Sequence, residues 1–324
     1  MKDNEVQFYT SLFRMLNRHS VDNLLFMISK MSIITSSRLS NFFYFLDENT
    51  DFSPFIAKYV LTKYAEIEAS KKVIEALLDK TLPIRPLLKL IKEDLKRIIN
   101  NNQGNLRMAQ QLDIYKQLIT AMDRVILSHR IRLSEPTIDL SFDWNKVKWA
   151  FDLWMTEQGF PANHIEWTLF LDEGIPSGTF NGLEISRIIE GCDSRDYVGL
   201  QITDMIVVLI GKSVSQITAN TRYDFTKPDQ RVLLDEEYFN LDEQQYNLIT
   251  ELNRFLLNKE TNYHFVNDAY FDESLLLQVY IGYITSFDNF EQYNSVKSKD
   301  HVDCYFKNFV KQSEEKYSEG KKNE

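Results

Sequence analysis

Turns are scarce in this chain. Ten glycines and seven prolines serve 324 residues, too few breaks for the many short strands of a sandwich or barrel. Long helices are therefore expected. Hydrophobic residues make up 44% of the chain and aromatics 13%, enough to bury the core of one large or two ordinary domains.

The apolar spacing agrees. Residues 3–18 place Tyr9, Leu12, Phe13 and Leu16 on one helical face, and residues 37–48, 54–68 and 70–79 repeat that period. Pro83 and Pro86 introduce a helix over 86–99 striped by Leu87, Leu88, Ile91, Leu95 and Ile98, and a long helix follows to about residue 129. Strand signals are few. Leu24 to Ile28 is a short apolar run that reads as a buried strand, and Ile165, Trp167, Leu169 and Leu171 alternate with Glu166, Thr168 and Phe170. A second strand is expected near 185–191. Asp143 is placed to cap a helix over 144–158, and Leu200 to Lys212 reads as a buried helix. Helices over 235–258 and 272–292 follow.

The expected fold is thus α/β and predominantly helical. An α/β core of residues 1–34 and 136–215 would carry a helical insertion at 35–135, a C-terminal helical extension at 216–310 and a disordered tail at 311–324.

Composition narrows the function classes. A net charge of −10 without a basic stretch argues against tight nonspecific nucleic-acid binding. It leaves room for a nuclease that meets phosphate through metal. Cys192 and Cys304 lie far apart, and the five histidines are scattered, which supports neither a zinc cluster nor a disulfide framework. The longest apolar run, Met205 to Ile210, is too short to span a bilayer, and no signal-like segment opens the chain. No membrane partner and a cytoplasmic location are expected.

Four acids stand out: Asp172 and Glu173 after one strand, Asp193 after the next, and Asp204 within the apolar segment Leu200–Ile210. A charge among apolar residues must be paired, protonated or coordinated. Strand ends in an α/β sheet deliver side chains to one edge. If the two strands are neighbours, Asp172, Asp193 and Asp204 could hold Mg²⁺ or Mn²⁺, with Glu173 as an accessory group. Two such ions suit phosphodiester cleavage. The structural alternative treats the strand-end acids as turn or cap residues and gives Asp204 a core partner such as Lys30 or Arg187. The four tryptophans, at 144, 149, 154 and 167, read as core rather than a stacking platform.

At these residues the chain resembles a bacterial family called domain-of-unknown-function family 3800, which has a ribonuclease H-like fold. Leu24 to Lys30 is similar to its apolar strand followed by lysine, and Leu169-Phe170-Leu171-Asp172-Glu173-Gly174 to its later strand with terminal acids. Asp193-Ser194-Arg195 with Gly199-Leu200-Gln201-Ile202-Thr203-Asp204 is similar to its closing signature, with Thr203 in place of the usual alanine. The resemblance implies a ribonuclease H-like core and a divalent-metal site.

Family members open with an Asp-Glu-Ser-Gly strand that supplies the first ligand, and this chain has none. Phe43 to Asn49 is only a superficial match and reads better as helix. Two readings follow. One is a divergent or truncated metal-dependent nuclease, in phage defence or a mobile element, acting on nucleic acid with a protein partner supplying the missing strands. The other is a non-catalytic protein-interaction subunit whose acids are structural.

Overall fold

In the computed structural model the described residues are 3–50, 52–104, 108–127, 140–157, 167–220, 222–223, 231–232, 234–257, 265–268 and 272–320. Of the described residues about 70% are helical and 6% are in strands, a predominantly helical α/β arrangement with a small parallel sheet. It divides into two compact units, Ile28–Phe142 and Met1–Met27 with Asp143–Glu324.

The helical unit holds α2 (Lys30–Arg38), α3 (Ser40–Asn49), α4 (Pro54–Ile67), α5 (Lys71–Leu78), α6 (Ile84–Asn101) and α7 (Ala109–Leu127). The α6 stripe is buried as its period requires, from Leu87 to Ile98, and closes a core with Phe42, Leu61, Tyr64, Leu77, Tyr115 and Met122. The expected helix over 37–48 is α3 from Ser40 onward, and residues 37 and 38 instead end the separate helix α2. Leu39 leaves the helical region with φ −108° and ψ 10°, and Ser29 starts α2 by accepting the Ser32 N–H at 3.0 Å.

The other unit joins the N-terminal segment to the rest of the chain. Its elements begin with α1 (Asp3–Arg18), β1 (Leu25–Ile28) and α8 (Trp144–Glu157), then β2 (Thr168–Asp172), β3 (Arg187–Cys192) and α9 (Val198–Asn220). Two short strands follow, β4 (Arg222–Tyr223) and β5 (Arg231–Val232), then a 3-10 turn (Glu236–Phe239) and α10 (Glu243–Leu256). The last elements are β6 (Phe265–Asp268), α11 (Asp272–Ile284), α12 (Phe290–Asn294) and α13 (Ser298–Gly320). Helical backbone therefore continues past residue 311, where the composition led us to expect a disordered tail. Helix α1 lies along α10 through Phe13 on Phe255, with ring centroids 5.4 Å apart. Asn17 completes the join by donating to the Glu251 carboxylate at 3.0 Å.

Strand β1 pairs with β6, β4 with β5, and β2 with β3. Only the β2–β3 pair concerns the site. It is parallel, with Thr168 opposite Arg187, Phe170 opposite Ile189 and Asp172 opposite Cys192. Between the last two pairs β3 carries one more residue than β2, a bulge at Gly191 with φ +65°. Leu171 and Cys192 point inward and are buried, as are Phe180, Ala150 and Trp154.

Candidate functional site

The strand pairing brings two of the expected acids to one edge. Asp172 ends β2 opposite Cys192, and Asp193 follows Cys192 at once. The Glu173 N–H donates to the Cys192 carbonyl at 3.2 Å, which keeps the two chain exits side by side. The connecting loop is tied back to β3, because the Glu190 carboxylate accepts from Ser177 Oγ at 2.5 Å and from the Gly178 N–H at 2.6 Å. These bonds hold the Glu190 carboxyl below its ordinary pKa.

The acids at this edge are not equivalent. Asp172 is half-buried at the strand end, and its backbone carbonyl accepts the Ile175 N–H at 3.0 Å. Glu173 is exposed. Asp193 is already engaged: its carboxylate accepts Arg195 Nε at 2.9 Å and the Arg195 N–H at 2.9 Å, and forms an ion pair with the same guanidinium. Those hydrogen bonds, side chain first and backbone second, lower the Asp193 pKa. A metal ion would have to displace Arg195 or share the carboxylate with it.

Asp204 departs from expectation. The premise of a buried charge does not hold, because Asp204 is exposed on α9. The core stripe of that helix is Ile206, Ile210, Val214 and Ile217, and a residue two positions before Ile206 lies about 160° away around the axis. Within its own unit Asp204 makes no hydrogen bond or ion pair among the described residues, so the expected partnership with Arg187 is absent. Among the described residues, no group of three or more His, Cys, Asp or Glu side chains is gathered as a metal site requires.

The feature that sequence reasoning missed lies on the same helix. Leu200–Lys212 was expected to be buried, yet Met205 is 38%, Val207 53% and Val208 50% exposed. Over Val198–Thr218, α9 is the one helix among the described residues that is long and apolar enough to cross a membrane by length and composition, with 17% of its most apolar window buried. Counting only the uninterrupted run Met205–Ile210 understates this, because Gly, Ser and Thr do not break an apolar helix. The signal was present in the sequence: apolar residues spread wider than one core stripe need cover beyond the core.

Nearby, Phe170 on β2 is exposed, with its ring 5.2 Å from that of Tyr197 just before α9. Trp149 on α8 is 59% exposed, so the tryptophans are not uniformly core. In the helical unit, Asp47 and Glu48 line an open polar cavity of about 650 Å³ with Gln117, Thr120 and Arg124. Both acids lie on helix α3, not on a strand.

In comparisons with protein-family models, curated proteins and solved structures, the chain matches none of them.

Proposed function

We propose that this chain is a protein-interaction subunit, built on a partial ribonuclease H-like layer of the kind found in domain-of-unknown-function family 3800. The observation that carries this reading is the open flank of α9, where Met205, Val207 and Val208 lie exposed to solvent on more than one side of the Ile206–Ile217 stripe. The sheet supports it. Purely parallel sheets are covered on both faces, and a two-stranded sheet is marginal alone. Among the described residues the β2–β3 sheet has two strands, which fits an element that gains stability from further packing. On this reading Asp193 and Arg195 form a turn-stabilising ion pair, and Asp172 and Glu173 mark the strand end.

A second reading, a Mg²⁺- or Mn²⁺-dependent nuclease, draws on one observation: Asp172 and Asp193 leave adjacent parallel strands at the same edge. Mg²⁺ binds through one or two carboxylates and keeps several waters, so Asp172 would be its main protein ligand and Glu173 an accessory, with nucleic acid as substrate. Cleavage assays on single- and double-stranded DNA and RNA, with and without each ion, separate the two. The interaction subunit cleaves none of them, and its melting midpoint does not rise with metal. Metal-dependent cleavage that is lost in Asp172→Asn overturns it.

A further inference from the structure

The outer face of α9 has a symmetry of its own. Gln201, Asp204, Val208, Gly211 and Ser215 follow one another at alternating three- and four-residue steps and so share one helix face, polar or small except at Val208. All but Gln201, which is half-buried, are exposed, and they lie on the side of the helix away from the Ile206–Ile217 stripe. Val208 is the midpoint of this set. Four positions before it stands Asp204, and four after it Lys212, also exposed. Three before it is Met205, and three after it Gly211, beyond which a Cβ would meet only open space. Residues equidistant from Val208 are thus complementary: acid to base, and bulky to absent.

We infer that the partner is a second copy of this chain, with α9 pairing antiparallel to its twin about a two-fold axis at Val208. In an isologous contact, residue i meets j and j meets i. Each Asp204 then faces a Lys212 across the axis, and each Met205 covers the bare backbone at a Gly211. The small residues Gly211 and Ser215 let the helices approach closely. A parallel pair would set Asp204 against Asp204 and is disfavoured by like charge. A lipid surface would have to accept Asp204 and Lys212 in the middle of its contact face, which is costly. The inference rests on the interaction reading and specifies its partner.

Sedimentation velocity on the full chain tests it, together with a cysteine probe on the axis. Wild-type protein should be dimeric at about 100 μM, a concentration that populates even a small interface. Asp204→Lys and Lys212→Asp should each weaken the dimer about tenfold or more, since each change acts twice, and the double variant should restore it. Both positions are exposed, so neither change should lower the melting midpoint at concentrations dilute enough for wild-type protein to be monomeric. Val208→Cys in a Cys304→Ser background should give one disulfide-linked species of twice the mass on mild oxidation, because Cys192 is buried. A chain that stays monomeric, a double variant that fails to recover, or wild-type protein that floats with anionic phospholipid vesicles as a monomer overturns the pairing. The two failures are distinguishable. An inert monomer sinks only the self-pairing, whereas a dimer with Asp172-dependent nuclease activity sinks only the interaction reading.

Discussion

His301 shows what burial does to a titratable side chain in this protein. It is 1% exposed, stacked on Tyr293 at 4.4 Å between ring centroids and facing Phe239 at 5.8 Å. Its Nε2 lies 3.2 Å from the Tyr293 carbonyl, which can only accept, so the proton sits there. Nδ1 then accepts the Tyr283 hydroxyl at 2.7 Å. Burial lowers the pKa of His301 below 6.5, and the Tyr293 carbonyl and the charge of Asp300 only partly oppose that.

The sign of the linkage follows. With the folded pKa depressed, the unfolded chain takes up the proton first as pH falls. Stability is full above the unfolded value and is lost as pH falls from there through the folded value. His301→Phe keeps the ring stack, removes this titration and takes the imidazole acceptor from the Tyr283 hydroxyl, while the Tyr293 carbonyl still accepts the Val296 N–H at 3.1 Å; the cost is about 1 kcal/mol at pH 8. Urea unfolding across the pH range should show the variant less stable at pH 8 but with a shallower decline toward pH 5. An unchanged slope would assign the acid sensitivity to other groups.

Among the elements, legibility tracked one-sidedness. Helices with one apolar stripe, such as α1 and α6, stand where their spacing put them. Asp143 caps α8 as its position implied, accepting the Asn145 N–H at 3.1 Å. Strands β2 and β3 were also readable, from period and turn residues, but their pairing, which sets Asp172 beside Asp193, was only a condition in the sequence and comes from the structure. What was not readable depends on neighbours distant in sequence. Helix α9 carries apolar residues well beyond its core stripe, so the run from Met205 to Ile210 hid which side lacks cover, and a carboxylate beside it looked buried when it is not. The bulge at Gly191 leaves no periodic trace at all, yet it turns Cys192 inward and so sets where Asp193 begins. Nothing lies within 4 Å of a Cβ built at Gly191, so Gly191→Ala is resisted by φ +65° alone and not by crowding. The expected loss is about 1–2 kcal/mol, read as a lower thermal midpoint, with Gly191→Asn milder because asparagine tolerates the left-handed region. An alanine variant as stable as wild type would show that the strand pair carries no strain there.

At the scale of the whole molecule, the two units differ in how they are assembled from the chain. The helical unit is one continuous segment, Ile28–Phe142, whereas its counterpart needs residues from both sides of that segment. Arg14 and Asn17 of α1 reach Glu251 on α10 across more than 230 positions, long-range contacts that are expected to close after the local ones of the helical unit. The helical unit is held by local contacts and by one buried acid. Asp94 is 7% exposed and accepts from Tyr64 Oη at 2.7 Å, Arg97 Nε at 2.9 Å and the Ser70 N–H at 3.0 Å. Burial by itself would raise its pKa, but those three bonds outweigh it and hold the carboxyl below its ordinary value.

All four tryptophans, Trp144, Trp149, Trp154 and Trp167, lie outside the helical unit. Their fluorescence therefore reports on one unit, while far-UV circular dichroism reports on both. Urea unfolding should then give transitions that do not coincide between the two probes. Asp94→Asn, which loses charge-assisted bonds worth about 1–3 kcal/mol, should move the dichroism transition to lower urea and leave the tryptophan transition in place. If a single substitution at Asp94 shifts both curves together, the units unfold as one cooperative body, and the division into a locally built unit and a late-closing one loses its thermodynamic meaning.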